Sequence, residues 1–420
     1  MEIDFDIMSV LNSAQSKGTA RALAVAVPTI SCDQSNAQVL EVFSLNRELI
    51  SLPVLEEERP IGMISRNIFM SQMSKPYYRE LYEKKTCIAF MDKNPLIVQA
   101  DTCVETLAAL AVKSGDKTLA DGFLIIEDDQ FLGLGSGLNL MRMMVNLQKE
   151  KNLQVMQSID YASTIQRAMM STSLKAMSAT LNDACLIWEP RDVVGGDFYH
   201  FERFNDGWFA AVADCTGHGV PGAFLTLIAS SLLSQGLSKL GPKDPAMLMS
   251  EVNRGMKLAL GQFADQNRLS ESDDGMDAAF FWFNDVTSEL TCANAKAPLF
   301  ILMPDQDEIQ TVEGKRVGIG YVDTPAEMCW DNKTLTLTND AVVLSATDGI
   351  IDQIGGMKNI AFGKQRLRDY LFRHRDMPME KFGQLLMLEQ KTYQGLHRRR
   401  DDLTVFGFRL NASNQRQSAL

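Results

Sequence analysis

VADCTGHGVPGAF, Val212 to Phe224, closes an apolar run on an aspartate, passes through two glycines and opens a helix. The run before it, WFAAVAD, is bounded upstream by Asn205-Asp206-Gly207, a good hairpin turn, so Asp214 falls at a strand end. The helix that follows Pro221 reaches Ser238 without a charged residue. That is close to the ~20 residues of a membrane span, but it holds Pro221, Thr226, interior serines and Gln235, so a buried helix is expected.

Outward from this stretch the pattern is strand-rich. ACLIWEP, AAFFWFN, LTCANA, LFILM, TLTLT, AVVLSATD and LTVFGFRL are short, apolar and bounded by turn residues. A second helix begins at Asp244-Pro245, an N-cap acid with proline at the first helical position. Strands grouped around long helices predict an α+β layered domain with antiparallel sheets.

Four acidic positions recur at the strand ends: Asp197 after Gly195-Gly196, Asp214 before Gly217-His218-Gly219, Asp348 in Thr347-Asp348-Gly349, and Asp401-Asp402 after Arg400. A strand end projects a carboxylate into a shared cleft, and glycine lets backbone approach closely. Carboxylates meeting there repel one another unless cations sit between them, and an oxygen-only set favours Mg²⁺ or Mn²⁺ over zinc. A pair of such ions ~3.5–4 Å apart clamps a phosphoryl group for in-line attack.

In order, EPRDVVGGDFYHF (Glu189 to Phe201), VADCTGHGVPGAF, CANAKAPLF (Cys292 to Phe300), RVGIG (Arg316 to Gly320), LSATDGIID (Leu344 to Asp352) and RRDDLTVFGFR (Arg399 to Arg409) resemble the motifs of metal-dependent serine/threonine protein phosphatases of the SpoIIE/RsbU-type branch. SIDYASTIQRAMM, Ser158 to Met170, resembles the helix that leads into such domains. The resemblance implies an α-β-β-α sandwich over residues 179–411 and two Mn²⁺ or Mg²⁺ ions. It implies that Asp214 bridges the ions, that the Cys215 backbone carbonyl completes one coordination sphere, and that Asp348 and Asp401 bind the other ion. Asp197 ligates directly or through water, and Asp402 is the alternative to Asp401. Attack on phosphorus by a metal-bridging hydroxide, on a phosphorylated STAS-type anti-sigma-factor antagonist or similar partner-switching regulator, is likewise implied.

His218 is either the acid that protonates the leaving oxygen, for which a reference pKa of ~6.5 is suitable, or a histidine that orients the turn. Asp277, in DDGMDAAFFWF just before a central strand, is an accessory metal-ligand candidate. Arg399 and Arg400 adjoin Asp401 and either assist phosphate docking or pair with Asp402. A catalytically silent signalling or binding module of the same fold is the competing reading.

The N-terminal third repeats itself. Val27 to Met70 and Asn94 to Met141 each open on a proline (Pro28, Pro95), followed by a helix, a short strand, an acidic turn and a second strand. The apolar helix positions are Val39, Val42 and Phe43 in the first copy, and Val104, Leu107, Ala108 and Ala111 in the second. Residues 20–144 thus resemble an α/β CBS-domain pair, which implies adenine-nucleotide sensing through Ser65 and Ser136. The acid such modules carry three residues later falls here on Ile68 and Asn139. Between the two parts, residues 145–178 are predicted as a helical connector with a register break at QKEKN and a possible homodimeric coiled coil.

Composition sets the outer limits. At 420 residues the chain is too long for one core, and 53 acidic against 41 basic residues give a net charge of −12, which excludes broad nucleic-acid binding. Seven scattered cysteines make no CxxC pair, and MEIDFDIM lacks the basic start of a signal peptide. A cytoplasmic protein without a membrane or zinc site is expected, with a disordered tail over 412–420.

Overall fold

The computed structural model describes residues 18–262 and 273–410. The acidic octet at the N-terminus and the tail 412–420 lie outside the described residues. Contacts divide the chain into two units, at Val155/Met156.

The first unit holds two three-stranded sheets of the same design. In one, β1 (Ile30–Ser31) runs parallel to β2 (Ser51–Glu56), which pairs antiparallel with β3 (Arg59–Ser65). In the other, β4 (Ile97–Gln99) runs parallel to β5 (Phe123–Glu127), antiparallel to β6 (Gln130–Gly135). Each hairpin slips register at one place, Val54/Leu55 and Ile125/Ile126. Each turns through two acids at positive φ, Glu57-Glu58 and Asp128-Asp129. Val39 and Phe43 of the helix Asn36–Leu45 pack with Leu52 and Val54, while Val104, Leu107 and Ala111 of the helix Val104–Ser114 pack with Phe123 and Ile125. The sequence repeat is thus a repeat of topology.

A 44-residue helix, Gly137–Thr180, runs without interruption through QKEKN, the polar run between its two apolar stripes. Its Leu140 lies in the core of the first unit. Met170 and Met177 lie in cores of the second.

The second unit is built from two five-stranded antiparallel sheets. One has β8 (Asp197–Phe204), β9 (Gly207–Cys215), β10 (Met276–Asn284), β11 (Glu289–Ala295) and β14 (Lys333–Thr336), in the order β14-β11-β10-β9-β8. The other has β7 (Ala184–Glu189), β12 (Leu299–Leu302), β13 (Gln310–Val312), β15 (Val342–Ala346) and β18 (Leu403–Arg409), in the order β13-β12-β15-β18-β7. A small hairpin, β16 (Ile354–Gly355) and β17 (Ile360–Ala361), stands apart.

Alternation along β9 decides the layering. Phe209, Ala211 and Ala213 pack against the helices Gly219–Leu240 and Pro245–Leu260. Trp208, Ala210 and Val212 pack against Phe406, Phe408 and Val343 of the other sheet. Leu344, Ala346 and Val405 face the helices Gly363–Arg373 and Met379–Gln394. Both faces of each sheet are therefore covered, giving four layers, α-β-β-α. The helix Gly219–Leu240 has the length and composition of a membrane span, yet Leu225, Ala229, Leu233 and Leu237 lie at four-residue spacing on the sheet. Asp244 accepts the Met247 N–H at 2.9 Å, the cap its position predicts.

Candidate metal centre

The centre forms where the two sheets end together. Asp197 is the first residue of β8, and the register sets it opposite Asp214 on β9. Asp214 in turn stands opposite Asp277 on β10. Residues directly opposite share a face, so three carboxylates line up at one level on three adjacent strands. The second sheet brings its own acids to this edge. Asp348 follows β15 and Asp401-Asp402 precede β18, and these two strands are paired. The carboxyls of Asp214 and Asp348 are within hydrogen-bond reach of each other.

Such crowding shows in the acidities. Burial, then the charges of Asp197, Asp348 and Asp401, push the Asp214 carboxyl well above the usual carboxylate range. Asp197 is pushed up to about 8, by burial and then by the charge of Asp402, against the opposing hydrogen bond from Thr347. Asp348 is raised by burial and the neighbouring acids, although it keeps an exposed edge. Thr347 Oγ1 donates to Asp197 Oδ2 at 2.7 Å. Asp197 Oδ1 is buried with no hydrogen-bond partner among the described residues.

The two adjacent acids separate cleanly. Asp402 is 1 % exposed, and its oxygens accept the Arg191 and Gly196 N–H groups, each at 2.6 Å. Among the described residues Asp401 accepts only the Asp402 N–H, at 2.9 Å, and its charge reaches Asp214. Asp402 therefore shapes the backbone around Asp197, while Asp401 faces the cluster. Neither neighbouring arginine pairs with Asp402: Arg399 binds Glu189 at 2.7 Å, and the Arg400 guanidinium has no partner among the described residues.

Gly196 is required by close approach, since a Cβ there would stand 2.6 Å from the Cys215 carbonyl oxygen. The Cys215 thiol is buried and pushed well above its ordinary value by that burial, which leaves it inert as a nucleophile. His218 lies outside the cluster. Its Nδ1 is 2.8 Å from Asp192 Oδ2, and it stands at the N-cap position of the helix Gly219–Leu240 without a side-chain capping bond. Asp277 lies inside β10, one residue past its start rather than before it, and is raised by burial while Lys296 opposes that rise.

The remaining candidates lie in the first unit. Ser65 Oγ donates to Asp121 Oδ1 at 2.5 Å, and Ser136 Oγ accepts the Asn139 N–H at 3.2 Å. Motif order gave no signal for Asp121, nor for Thr347, Asp192 or Gln166, whose side-chain amide holds Gly195 from the long helix.

Residues 205–411 match the family model of stage II sporulation protein E (SpoIIE). The SiaA-PP2C domain of Pseudomonas aeruginosa is 33% identical over 62% of this chain and 99% of its own, with a TM-score of 0.55. The chain belongs to the SpoIIE-type PP2C phosphatase family. The PP2C domain of SpoIIE from Bacillus subtilis is 18% identical over 55% of this chain and 61% of its own, TM-score 0.44. The RsbU and RsbW domains of Rv1364c from Mycobacterium tuberculosis are 16% identical over 56% and 61%, TM-score 0.45. No curated protein matches the chain.

The donors of this SpoIIE-type domain suit a hard divalent cation: carboxylate oxygens, one of them orphaned and buried, and a backbone carbonyl. Among the described residues no three His, Cys, Asp or Glu side chains close around one point. Direct ligation would thus come from one or two carboxylates per ion with water completing the shell, as is usual for Mg²⁺.

Proposed function

We propose that this protein is a Mn²⁺- or Mg²⁺-dependent protein serine/threonine phosphatase. The observation that carries this reading is the Asp197–Asp214 pair on adjacent strands, closed by Asp348 from the facing sheet. Asp214, Asp348, Asp401 and Asp197, with the Cys215 carbonyl, would hold the ions. Bound there, the ions would supply positive charge to a phosphoryl oxygen and acidify a water.

The chain's own groups do the rest. Thr347 fixes Asp197 by its hydroxyl, and Asp402 fixes the Gly196 turn that presents it. The free guanidinium of Arg400 draws a phosphorylated segment toward Asp401. Beside the centre lies a groove of about 670 Å³ lined by Arg167, Leu174, Trp188, Tyr199, Asp192 and Arg399. It adjoins His218 through Asp192 and is suited to the polypeptide flanking a phosphoserine. The family resemblance favours a small phosphorylated STAS-type regulator as that polypeptide.

The first unit is read as a CBS-type pair that senses an adenine nucleotide, with Asp121 supplying the carboxylate missing at Ile68 and Asn139. The long helix links this unit to the catalytic one in a homodimer. Hydrolysis of p-nitrophenyl phosphate with added Mn²⁺, lost in a folded Asp214→Asn variant, tests the enzymatic reading. Full activity in that variant, or none in the wild type, would overturn it.

A further inference from the structure

Lys296 links β11 to β12 through a three-residue turn. The Ala297 N–H donates to the Ala295 carbonyl at 2.7 Å, and Lys296 has a φ of 57°. This is the φ-positive γ-turn, rare and strained, and disfavoured for any residue with a Cβ. The turn is held from outside: the Lys296 N–H donates to the Lys315 carbonyl at 2.9 Å, and Lys296 bridges Ala278 of β10.

The strained backbone delivers one charge to one place. The lysine ammonium lies 4.4 Å from the centroid of the Tyr321 ring and 3.3 Å from Asp277 Oδ1. That oxygen is buried and makes no hydrogen bond among the described residues, so charge rather than an aligned donor compensates it. Gly318 leaves room for it, since a Cβ there would stand 2.6 Å away. Asp277 is also the third member of the row that contains Asp197 and Asp214.

We infer that Lys296 is a resident cation of the centre: its ammonium occupies the Asp277 flank and keeps a metal ion from being drawn to that carboxylate. The inference rests on the metal-centre reading above. A half-buried carboxylate beside other acids attracts a cation, and here the chain provides its own, at the cost of a strained turn.

Mn²⁺ titration calorimetry on the full chain tests this. Lys296→Gly removes the ammonium and suits the turn, so the fold is retained. It should bind one more Mn²⁺ per chain than the wild type, as should Lys296→Met, which keeps an apolar stem over Tyr321. Lys296→Arg and the double variant Lys296→Gly/Asp277→Asn should match the wild type. An unchanged number of ions in Lys296→Gly and Lys296→Met, whatever their melting temperatures, overturns the inference alone. Absence of Mn²⁺ binding by the wild type overturns the metal-centre reading with it.

Discussion

Asp402 Oδ2 accepts the Gly196 N–H at 2.6 Å, fastening the residue before β18 to the turn that presents Asp197. Its other oxygen holds the Arg191 N–H at the same distance. Among the described residues Asp401, one residue earlier, makes no such backbone bridge between segments.

The two acids should therefore fail differently. Asp402→Ala strands two backbone donors and should lower stability by about 2–4 kcal/mol in denaturant titration, because hydrogen bonds to a charged group are the strong ones. Asp401→Ala should stay within about 1 kcal/mol of the wild type, as expected where no buried network is broken. It should nevertheless weaken Mn²⁺ binding at least tenfold. The reverse ranking would exchange their roles.

Stability should depend on pH in a direction set by Asp197. Burial holds its folded-state pKa up to about 8, whereas the unfolded carboxyl titrates near ~3.9. Between those limits the folded chain keeps a proton that the unfolded chain has released. Its contribution to stability is thus fully present below about pH 4 and is lost as pH rises toward about 8. In EDTA, melting temperature should fall from pH 6 to pH 8, and Asp197→Asn should flatten that fall. With Mn²⁺ present the trend should reverse, since the ion competes with protons for the same oxygens. A wild-type profile in EDTA as flat as that of Asp197→Asn would show that Asp197 ionises normally.

Gly196 makes a third point of failure. A methyl group there meets the carbonyl oxygens of Gly217 and Cys215 at 2.5 and 2.6 Å. Neither backbone group can retreat without moving the strand ends that carry Asp197 and Asp214. Gly196→Ala should abolish Mn²⁺ binding while secondary structure by circular dichroism persists. Normal Mn²⁺ affinity would show that the turn tolerates displacement.

The strand ends were legible because apolar runs with polar boundaries have few other solutions, and the candidate aspartates Asp197, Asp214, Asp348 and Asp401 sit at such boundaries. Trp208 to Val212 reads as apolar throughout because helices cover one face of β9 and a second sheet the other. What the order of residues could not supply was the partner of each acid. Asp401 and Asp402 are indistinguishable until the backbone donors of Arg191 and Gly196, some two hundred positions away, are brought to one of them. Asp121 and Thr347 were invisible for the same reason: each acts across a contact rather than within a motif. The polar run QKEKN shifts the apolar stripe of the long helix without interrupting it, because exposed polar side chains leave the backbone hydrogen bonds intact.

That uninterrupted helix carries the last prediction. Leu153 and Met156, three residues apart and so on one face, are 52% and 45% exposed along it. Apolar side chains at such spacing on one long helix gain most by meeting the same face of a second copy, with the apolar positions interlocking along the seam. The wild type should therefore sediment as a dimer at micromolar concentration. Leu153→Asp combined with Met156→Asp should sediment as a monomer, because two carboxylates facing their symmetry mates in a closed seam repel and lose hydration. Met170 and Met177, which anchor the helix in the second unit, are untouched by these changes, so the folded core should give an unaltered near-ultraviolet spectrum. A wild-type monomer, or a double variant that still dimerises, would place the subunit contact elsewhere or remove it.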